Sequence, residues 1–591
     1  MLIYLIDEFF RVDAMTGGLI EKEFESAFKK NYECIRLMCC RNEYVSFQVI
    51  FDTEGERIGN ADISFSDLSN KEGKDICASE YSVFVEWFHQ AEGKYVPDAL
   101  IPLGLNGIGL KIPLDEKYLP GQRAGALWVD LFIPGDTLDG SYEGEITVVA
   151  GKAVKKFNIS VKVYDVLLTD ESRIFPDMNS YADSISPGFP CLAGNPGKYD
   201  DGSFFKVERE FYRMSYEHRC VFHNLGYEHS GRVIPSFAPE LEGEGKNIRV
   251  KSWENFDRHF GPLLDGSAFE GLKRPQRPIP FMYLPFNFAW PACYEKWKKK
   301  GYKTEYRRIL KEFITHFEEK GWVNTCFELF LNHKKRYRYF PYDGDETRFL
   351  EDEEILDIFN DMNSEIIDDT KVKAVFRMDS SWAYGLHFNS RFSDFIKMWV
   401  VNGTIFRWLP ESVPYMKEKG DILWNYGGIN NVYDNHISLA IWPFRCIMTG
   451  ITGVTFWNST GFGDDYLKTP LDSGRQAVMY PGVPFGYDGP IPSIRLKVLR
   501  NATQTADLVM MYEGSKIMKE LKDIINLHFE LDFNDWWDRK PGFINEPPCT
   551  WTNAKLSVAK SAYVKDSMSP VLLGGIKKDV LIAAERWVKN G

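Results

Sequence analysis

The sequence lacks the features that mark zinc-binding, disulfide-rich and nucleic-acid-binding proteins. It has ten cysteines but no CxxC pair, and only Cys39 and Cys40 are adjacent. This spacing disfavours both a zinc site and a disulfide framework. No basic run is longer than KWKKK at 296–300, and the formal net charge is −13. We therefore expect no nucleic-acid partner, because such binding depends on cations that neutralise phosphates.

Long hydrophobic runs are also missing, so no segment is predicted to cross a bilayer. The opening residues, MLIYLIDEFFRVD, contain no basic segment and reach Asp7 and Glu8 early. They predict a strand or a short core segment and not a signal peptide. Neither a short-period repeat nor a low-complexity segment is present. These absences predict a soluble cytoplasmic protein with reduced cysteines and no membrane insertion, and they predict nothing about its oligomeric state.

The composition is that of a globular protein with many aromatic residues. Hydrophobic residues make up 44% and charged residues 26% of the 591 positions, and this length predicts two or three domains. The 16 Trp, 29 Tyr and 43 Phe suit a protein that handles sugars, because the apolar face of a pyranose packs on flat rings. Large cores are aromatic as well, so composition alone does not decide between these interpretations.

Residues 1–168 predict a β-sandwich that serves as an accessory domain. Short alternating runs rich in β-branched and aromatic residues are separated by turn clusters such as PGDTLDGSYEG. Many short strands without intervening helices are typical of a sandwich. The runs are YVSFQVIFDTEG, YSVFVEWFHQ, GALWVDLFIPGDTLDGSYEGEITVVAG and KKFNISVKVYDVLL.

Residues 169–502 predict a (β/α)8 barrel. Eight strand-like apolar runs alternate with longer helical stretches, which is the pattern of such a barrel. A doubly wound open sheet is the main alternative, but it does not require eight strands. The runs are FPDMNSY, CVFHNLG, IPFMYLPF, CFELFLN, KAVFRMD, KMWVVNG, ILWNYGG and GVTFWNS.

Helices are predicted between these strands and after the last of them. In YKTEYRRILKEFITHFEEKGW the apolar residues from Tyr306 to Phe317 follow helical spacing, and Gly321 is placed to end the helix. HISLAIWPFRCIMTGIT is apolar enough to be a helix that packs on a sheet. Residues 503–591 predict a C-terminal extension, packed on the barrel, with one helix in QTADLVMMYEGSKIMKELKDIINL and an irregular segment after it.

Two adjacent carboxylates, Asp345 and Glu346, follow the fourth predicted strand in FPYDGDET. Barrel active sites lie at the carboxyl ends of the strands, which favours a catalytic pair over an acidic surface loop. Neighbouring side chains of a strand point to opposite faces, but a loop opened by Pro341 and Gly344 lets both enter one pocket. Glu328 is the competing acid. The strand rise puts it about 13 Å below Asn332, inside the packed barrel, where we predict a structural role.

The other predicted strand ends are rich in amides and aromatic side chains. Amides bind hydroxyl groups and aromatic rings stack on a sugar, so a rim that carries both suits a carbohydrate. For any one of these residues, a packing or loop-anchoring role is an equal alternative. They are Asn179 and Tyr181, His223 and Asn224, Asn287 and Trp290, Asn332 and His333, Asp379, Asn402, Trp424 with Asn425 and Tyr426, and Trp457 with Asn458.

One more stretch, VMYPGVPFGYDGPIPSIRLKVLR at 478–500, follows the eighth strand. With it, roughly residues 1–500 resemble glycoside hydrolase family 123, the β-N-acetylgalactosaminidases. The length and the GDET context suggest the clostridial member. The Tyr-Pro-Gly and Pro-Ser-Ile-Arg-Leu signatures are the most specific part of this resemblance. The chain departs from it at Thr347, where many relatives are expected to have Pro, which leaves the loop geometry open but not the pair.

The resemblance implies exo-acting, retaining, substrate-assisted release of terminal β-GalNAc from glycans or glycosphingolipids, with no cofactor or metal. The sugar's 2-acetamido oxygen would attack the anomeric carbon and give an oxazolinium ion. Glu346 would act as general acid and then base, with its pKa raised by burial and neighbouring charge. Asp345 would stay ionised and accept the acetamido N–H. From their positions at or beyond the strand ends, with Tyr480 in the stretch at 478–500, the expected substrate-binding residues are Asn179, His223, Trp290, Asn332, Trp424, Tyr426, Trp457 and Tyr480.

Three alternatives stay open on the sequence. A β-N-acetylglucosaminidase or hexosaminidase of the same mechanism would differ in the 4-hydroxyl epimer that it accepts, and no residue is seen to read that hydroxyl. A non-catalytic glycan-binding barrel would bind GalNAc and release nothing. A metal-dependent barrel enzyme could use DGDE with His333, but no HxH or HExxH spacing supports it.

Overall fold

The computed structural model describes residues 1–590 except 92, 193–201, 227–232, 235–236, 287–289, 293–300, 331–359, 363–365, 381–383, 403–404, 430, 463–465, 469–476, 533–541, 543–551, 553 and 556–568. Within them the chain forms two sheets near its N-terminus, then an eight-stranded parallel sheet, then long helices. No helix in these described ranges is both long and apolar enough to cross a membrane.

The N-terminal strands predicted from alternating runs are confirmed. They are β1 (Leu2–Asp7), β2 (Cys34–Arg41), β3 (Glu43–Asp52), β4 (Ile58–Phe65), β5 (Leu68–Ser69), β6 (Asp75–Ile76), β7 (Tyr81–Ala91), β8 (Lys94–Pro102), β9 (Leu110–Ile112), β10 (Ala124–Ile133), β11 (Gly140–Ala150) and β12 (Ala153–Leu167). One sheet has the order β1-β3-β10-β7-β8, and the other has the path β2-β12-β11-β4-β9 with β5 and β6 attached. Both contribute to one hydrophobic cluster, which joins Val49 and Phe51 to Ile146 and Phe157.

All eight strands predicted for the second part of the chain are confirmed. They are β13 (Phe175–Tyr181), β14 (Val221–Leu225), β17 (Phe281–Tyr283), β18 (Cys326–Phe330), β19 (Lys373–Ser380), β20 (Ile396–Asn402), β21 (Ile422–Gly428) and β22 (Gly453–Trp457). Two short antiparallel pairs lie outside this set: β15 (Glu240–Glu242) with β16 (Arg249–Ser252), and β23 (Met479–Pro481) with β24 (Pro490–Pro492). The eight form one parallel sheet in the order β14-β13-β22-β21-β20-β19-β18-β17. Its end strands β14 and β17 are in contact, so the sheet is nearly closed like a barrel.

Helices cover this sheet and continue beyond it. The predicted helix is confirmed at Tyr302–Lys320, and Gly321 ends it with φ 73°, a left-handed conformation that favours glycine. The predicted apolar helix is present as two short buried ones, Ile437–Ala440 and Trp442–Thr449. The others are Ala182–Ile185, Gly202–Glu217, Glu254–Leu264, Tyr384–His387, Phe392–Phe395, Ile405–Trp408, Ser412–Glu418, Ile494–Met510, Ile517–Asp532 and Val571–Asn590.

The single helix predicted near residue 504 is wrong in its extent. The structure has two helices there, Ile494–Met510 and Ile517–Asp532, separated by a turn in which Gly514 has φ 80°. A residue in that left-handed conformation cannot continue an α-helix, so Gly514 separates the two helices. The first helix begins inside the stretch at 478–500 and runs across the predicted boundary at 502–503.

Helix Ile494–Met510 is buried along its whole length, because it packs on β3 and β8 of the N-terminal sheet and on the helices Ile437–Ala440 and Trp442–Thr449. Its apolar residues share one cluster with Leu100 and Trp128 of the N-terminal part. Its cations reach the same sheet, since Lys497 Nζ lies 2.7 Å and Arg500 Nη2 2.8 Å from the Asp130 carboxylate. Both apolar and ionic contacts therefore join the two parts of the chain.

Candidate active site

The floor of the barrel interior is apolar. Alternate side chains of the parallel strands point inward, and those near the amino ends of the strands form one buried cluster. Trp424 lies in it, with its ring 4.6 Å from that of Phe281 and 6.1 Å from that of Phe175. The other buried members are Val221, Cys326, Val375, Met398 and Val400.

Above this floor, five charged side chains from four strands meet in what we call the central charged network: Asp177, His223, Glu328, Arg377 and Asp379. His223 lies between two carboxylates, with Nδ1 3.0 Å from Asp177 Oδ2 and Nε2 3.1 Å from Glu328 Oε1. Arg377 Nη1 donates to Glu328 Oε2 at 2.8 Å. Its Nε and Nη2 donate to the two oxygens of Asp379 at 2.7 and 3.3 Å. Cations and carboxylates therefore alternate along the chain of ion pairs that runs from Asp177 to Asp379.

Aromatic side chains hold the network from the sides and above. The Arg377 guanidinium lies 4.8 Å from the ring centre of Tyr283 and 5.2 Å from that of Phe330. The Tyr283 hydroxyl accepts from Asn179 Nδ2 at 3.4 Å. Toward the carboxyl ends of the strands, Tyr283 and Phe330 share a cluster with Tyr181, Leu225 and the partly buried Trp457. Asp177, His223, Glu328 and Arg377 are thus enclosed between an apolar floor and an aromatic upper layer.

The network is held in its charged form by its own ion pairs. Burial opposes protonation of His223, but Asp177 and Glu328 outweigh it and raise the pKa of His223 to about 9. Burial likewise opposes ionisation of Glu328, yet His223 and Arg377 keep the pKa of that carboxyl below its usual value. An acid with a lowered pKa cannot serve as a proton donor near neutral pH. The predicted burial of Glu328 is confirmed, and its chemistry is that of a fixed anion.

We expect the His223 ring to titrate with a midpoint near pH 9 in an NMR pH series. Because the folded pKa lies above the ordinary 6.5, the stabilisation from its protonation is complete below about pH 6.5 and is lost as pH rises through 9. His89 is the matched contrast: its pKa is lowered to about 4, chiefly by burial, so its ring stays neutral from pH 5 to 8. Comparing spectra of His223→Gln and His89→Gln assigns the signals, and a His223 midpoint at or below 6.5 contradicts the ion pairs.

Several predicted substrate-binding residues lie in or around this interior. His223 is in the network, Asn179 is beside it and Trp457 is in the upper aromatic layer. Tyr426 is partly buried and packs on the floor cluster. Trp424 belongs to the floor itself and is fully buried, below the level of His223. Their roles in substrate binding stay predictions.

Two predicted residues lie away from the barrel interior. Trp290 packs against Phe286 and Phe313, with ring centres 5.2 and 5.8 Å apart, and Phe313 belongs to the outer helix Tyr302–Lys320. Tyr480 is fully buried against the N-terminal sheet, where its hydroxyl donates to Asp98 Oδ2 at 2.6 Å. Arg495 pairs with the same carboxylate at 2.8 Å. The structure therefore gives the Tyr480 hydroxyl partners from the chain itself.

The predicted catalytic pair, Asp345 and Glu346, lies outside the described residues, as do Asn332 and His333. The strand that precedes them, β18, ends at Phe330 in the upper aromatic layer. Sequence reasoning did not single out Asp177 and Arg377. The signal was there, since a charged residue inside an apolar parallel strand has no place unless it is paired.

Comparison with known proteins finds a likeness only at the level of structure. No protein-family model and no curated protein matches the sequence. A solved family 123 glycoside hydrolase from Clostridium perfringens, studied for glycolipid glycan hydrolysis, matches with a TM-score of 0.65 and 13% identity, covering 100% of this chain and 99% of that one. A β-glucuronidase from Bacteroides uniformis matches with a TM-score of 0.30 and 9% identity over 75% and 47% of the two chains, too low to bear on the fold. The likeness to the family 123 structure concerns the fold, and the assignment to its clostridial member stays a prediction.

Proposed function

We propose that this protein is a glycoside hydrolase, specifically a retaining β-N-acetylgalactosaminidase that acts on terminal β-GalNAc of glycans or glycosphingolipids. The observation that carries the proposal is the whole-chain likeness in fold to a family 123 glycoside hydrolase. Two features of the chain support it. In the sequence, the pair Asp345 and Glu346 comes after the fourth strand of the parallel sheet, and barrel enzymes act at the carboxyl ends of such strands. Beneath those ends lies a buried charged network, and such clusters concentrate at functional sites.

In the proposed reaction the substrate's own acetamido group is the nucleophile. Its carbonyl oxygen bonds to the anomeric carbon while the glycosidic C–O bond breaks, and Glu346 gives its proton to the leaving oxygen. Asp345 accepts the acetamido N–H and stabilises the positive charge that develops there. Water then attacks the anomeric carbon, Glu346 takes the water's proton and the oxazolinium ring opens. Two inversions at the anomeric carbon give net retention.

The central charged network contributes to this reaction as fixed support. Glu328 and His223 keep their charges near neutral pH, so we assign proton transfer to neither of them. Fixed charges that need no rearrangement lower the cost of reaching a charged transition state. We therefore assign acid–base chemistry to Glu346 and electrostatic stabilisation to the charged side chains of the barrel interior.

The substrate preference is tested by comparing nitrophenyl β-GalNAc with nitrophenyl β-GlcNAc. We expect rapid release of nitrophenol from the first and far slower release from the second. Activity that survives a chelator argues against the metal-dependent alternative. Equal rates on both substrates favour the hexosaminidase alternative, and GalNAc binding without release favours a glycan-binding barrel.

A further inference from the structure

We propose that Asp379 binds hydroxyl groups of the sugar in the active site and that Arg377 is the positioning residue that holds it. This inference deepens the proposed function and rests on it, because it names the group that reads the sugar. Asp379 is the second-last residue of β19. It therefore lies at the carboxyl end of the strand, on the side of the barrel where substrate is expected.

Exposure separates Asp379 from the other carboxylates of the network. The side chains of Asp177 and Glu328 are 0% exposed, whereas that of Asp379 is 14% exposed. The first two are thus confined to contacts inside the protein. Asp379 is the carboxylate of the network that reaches accessible space, and a ligand in the barrel mouth can contact it.

The position of Asp379 is held by an unusually constrained arginine. The Arg377 side chain is 0% exposed, donates to both oxygens of Asp379 and also pairs with Glu328. Its guanidinium lies against the rings of both Tyr283 and Phe330, whose centres are 5.8 Å apart. A two-point arginine–carboxylate pair fixes orientation as well as distance. Asp379 therefore meets a ligand with its geometry already set, so little entropy is lost on binding.

The chemistry of the sugar leaves a task for such a group. In the proposed reaction Asp345 contacts the acetamido group and Glu346 the glycosidic oxygen, so the 3-, 4- and 6-hydroxyls need other partners. An ionised carboxylate accepts hydrogen bonds from hydroxyl groups, and such charge-assisted bonds are stronger than neutral ones. Trp457 ends β22, three places from β19 in the sheet. A sugar ring bound between Trp457 and Asp379 has an aromatic side chain on one side and a carboxylate on the other.

The test is a cycle that combines enzyme variants with deoxy sugars. Binding of GalNAc and of its 3-, 4- and 6-deoxy derivatives is measured by calorimetry for the wild type and for Asp379→Asn, which keeps the shape of the side chain. We expect Asp379→Asn to weaken GalNAc binding by about 10- to 100-fold, as for loss of a charged hydrogen bond. Removing at least one of the three hydroxyls should weaken binding to the wild type by a similar factor. Removing the same hydroxyl should not weaken binding to Asp379→Asn.

Two further variants test the positioning of Asp379 by Arg377 and control for the loss of an acidic side chain elsewhere. Arg377→Lys keeps the charge but not the two-point contact, so it should raise KM more than it lowers kcat. It should also reduce the difference in affinity between GalNAc and that deoxy sugar. Asp394→Asn, an exposed acid before β20 at the opposite end of the barrel, is the matched control and should bind all four sugars like the wild type.

Three outcomes overturn the proposal: Asp379→Asn binds GalNAc as the wild type does, it weakens all four sugars equally, or the wild type binds none of them. A wild type that binds GalNAc but releases nothing from nitrophenyl glycosides rejects the hydrolase function instead, and the binding cycle then still decides the role of Asp379.

Discussion

Replacing Asp345 with Ala is expected to slow nitrophenol release from nitrophenyl β-GalNAc by on the order of 10²-fold or more. The acetamido group then loses the partner that orients it and stabilises its developing charge, so the first step slows even with a good leaving group. Replacing Glu346 with Ala should cost less on this substrate than on natural glycans, because nitrophenol needs little protonation. Azide is expected to restore part of the lost activity of Glu346→Ala by attacking in place of activated water.

Asp343→Ala is the matched control for both variants, since Asp343 lies two residues from Asp345 in the same acidic stretch. It should keep wild-type rates on both kinds of substrate.

A GalNAc-thiazoline, which resembles the oxazolinium ion, should inhibit the wild type tightly. A stoichiometric adduct of a 2-fluoro sugar on Asp345 or Glu346 by mass spectrometry, together with no thiazoline inhibition, shows a double displacement and contradicts the proposed mechanism.

Replacing Arg377 with Met is expected to lower the free energy of unfolding by about 3–5 kcal/mol. The change leaves Glu328, which is fully buried, with His223 as its remaining ion-pair partner in the network, and it leaves Asp379 without its two-point partner. Removing one member of a buried ion pair is costly because the remaining charge stays away from water. Urea unfolding followed by circular dichroism at pH 7 measures the difference.

Arg57→Met is the matched control for this loss. Arg57 pairs with Glu116 at 2.8 Å, but both side chains are mostly exposed, at 76% and 57%. Water screens such a pair, so no measurable loss of stability is expected. If Arg377→Met is no more destabilising than Arg57→Met, the network does not carry the charges that its distances and burial indicate.

Much of the fold is predictable from the sequence because its signals are local. Each strand of the parallel sheet is buried on both faces, so it appears as a short apolar run between turn residues. The helix at Tyr302–Lys320 was found from its apolar spacing and from Gly321. The error near residue 504 has a local cause as well. The apolar pattern continues across Gly514, but the conformation of that glycine separates two helices.

The candidate site was predictable only in part. The rise along the strand places Glu328 inside the barrel, and the structure confirms its burial. Its place at a strand end put Trp424 among the predicted substrate contacts, and its place in the stretch at 478–500 put Tyr480 there. Neither signal says how deep a side chain lies or which residues it contacts. Trp424 belongs to the floor of the barrel, and the Tyr480 hydroxyl bonds with Asp98 of the N-terminal part. That contact joins residues 382 positions apart, far beyond any local pattern.

The sequence by itself determined where the eight strands lie, because each strand follows from a hydrophobic run. Which side of the barrel carries the acidic pair stays a prediction from chain order. Only the tertiary structure decided that Asp177, His223, Glu328 and Arg377 form one network. Their ion pairs reach across strands, as in the contact between Arg377 and Glu328, which lie 49 positions apart in the chain. Closure of the sheet brings inward side chains of different strands to one level. The charge that His223 carries follows from that meeting, since two buried carboxylates outweigh the cost of burying an imidazolium.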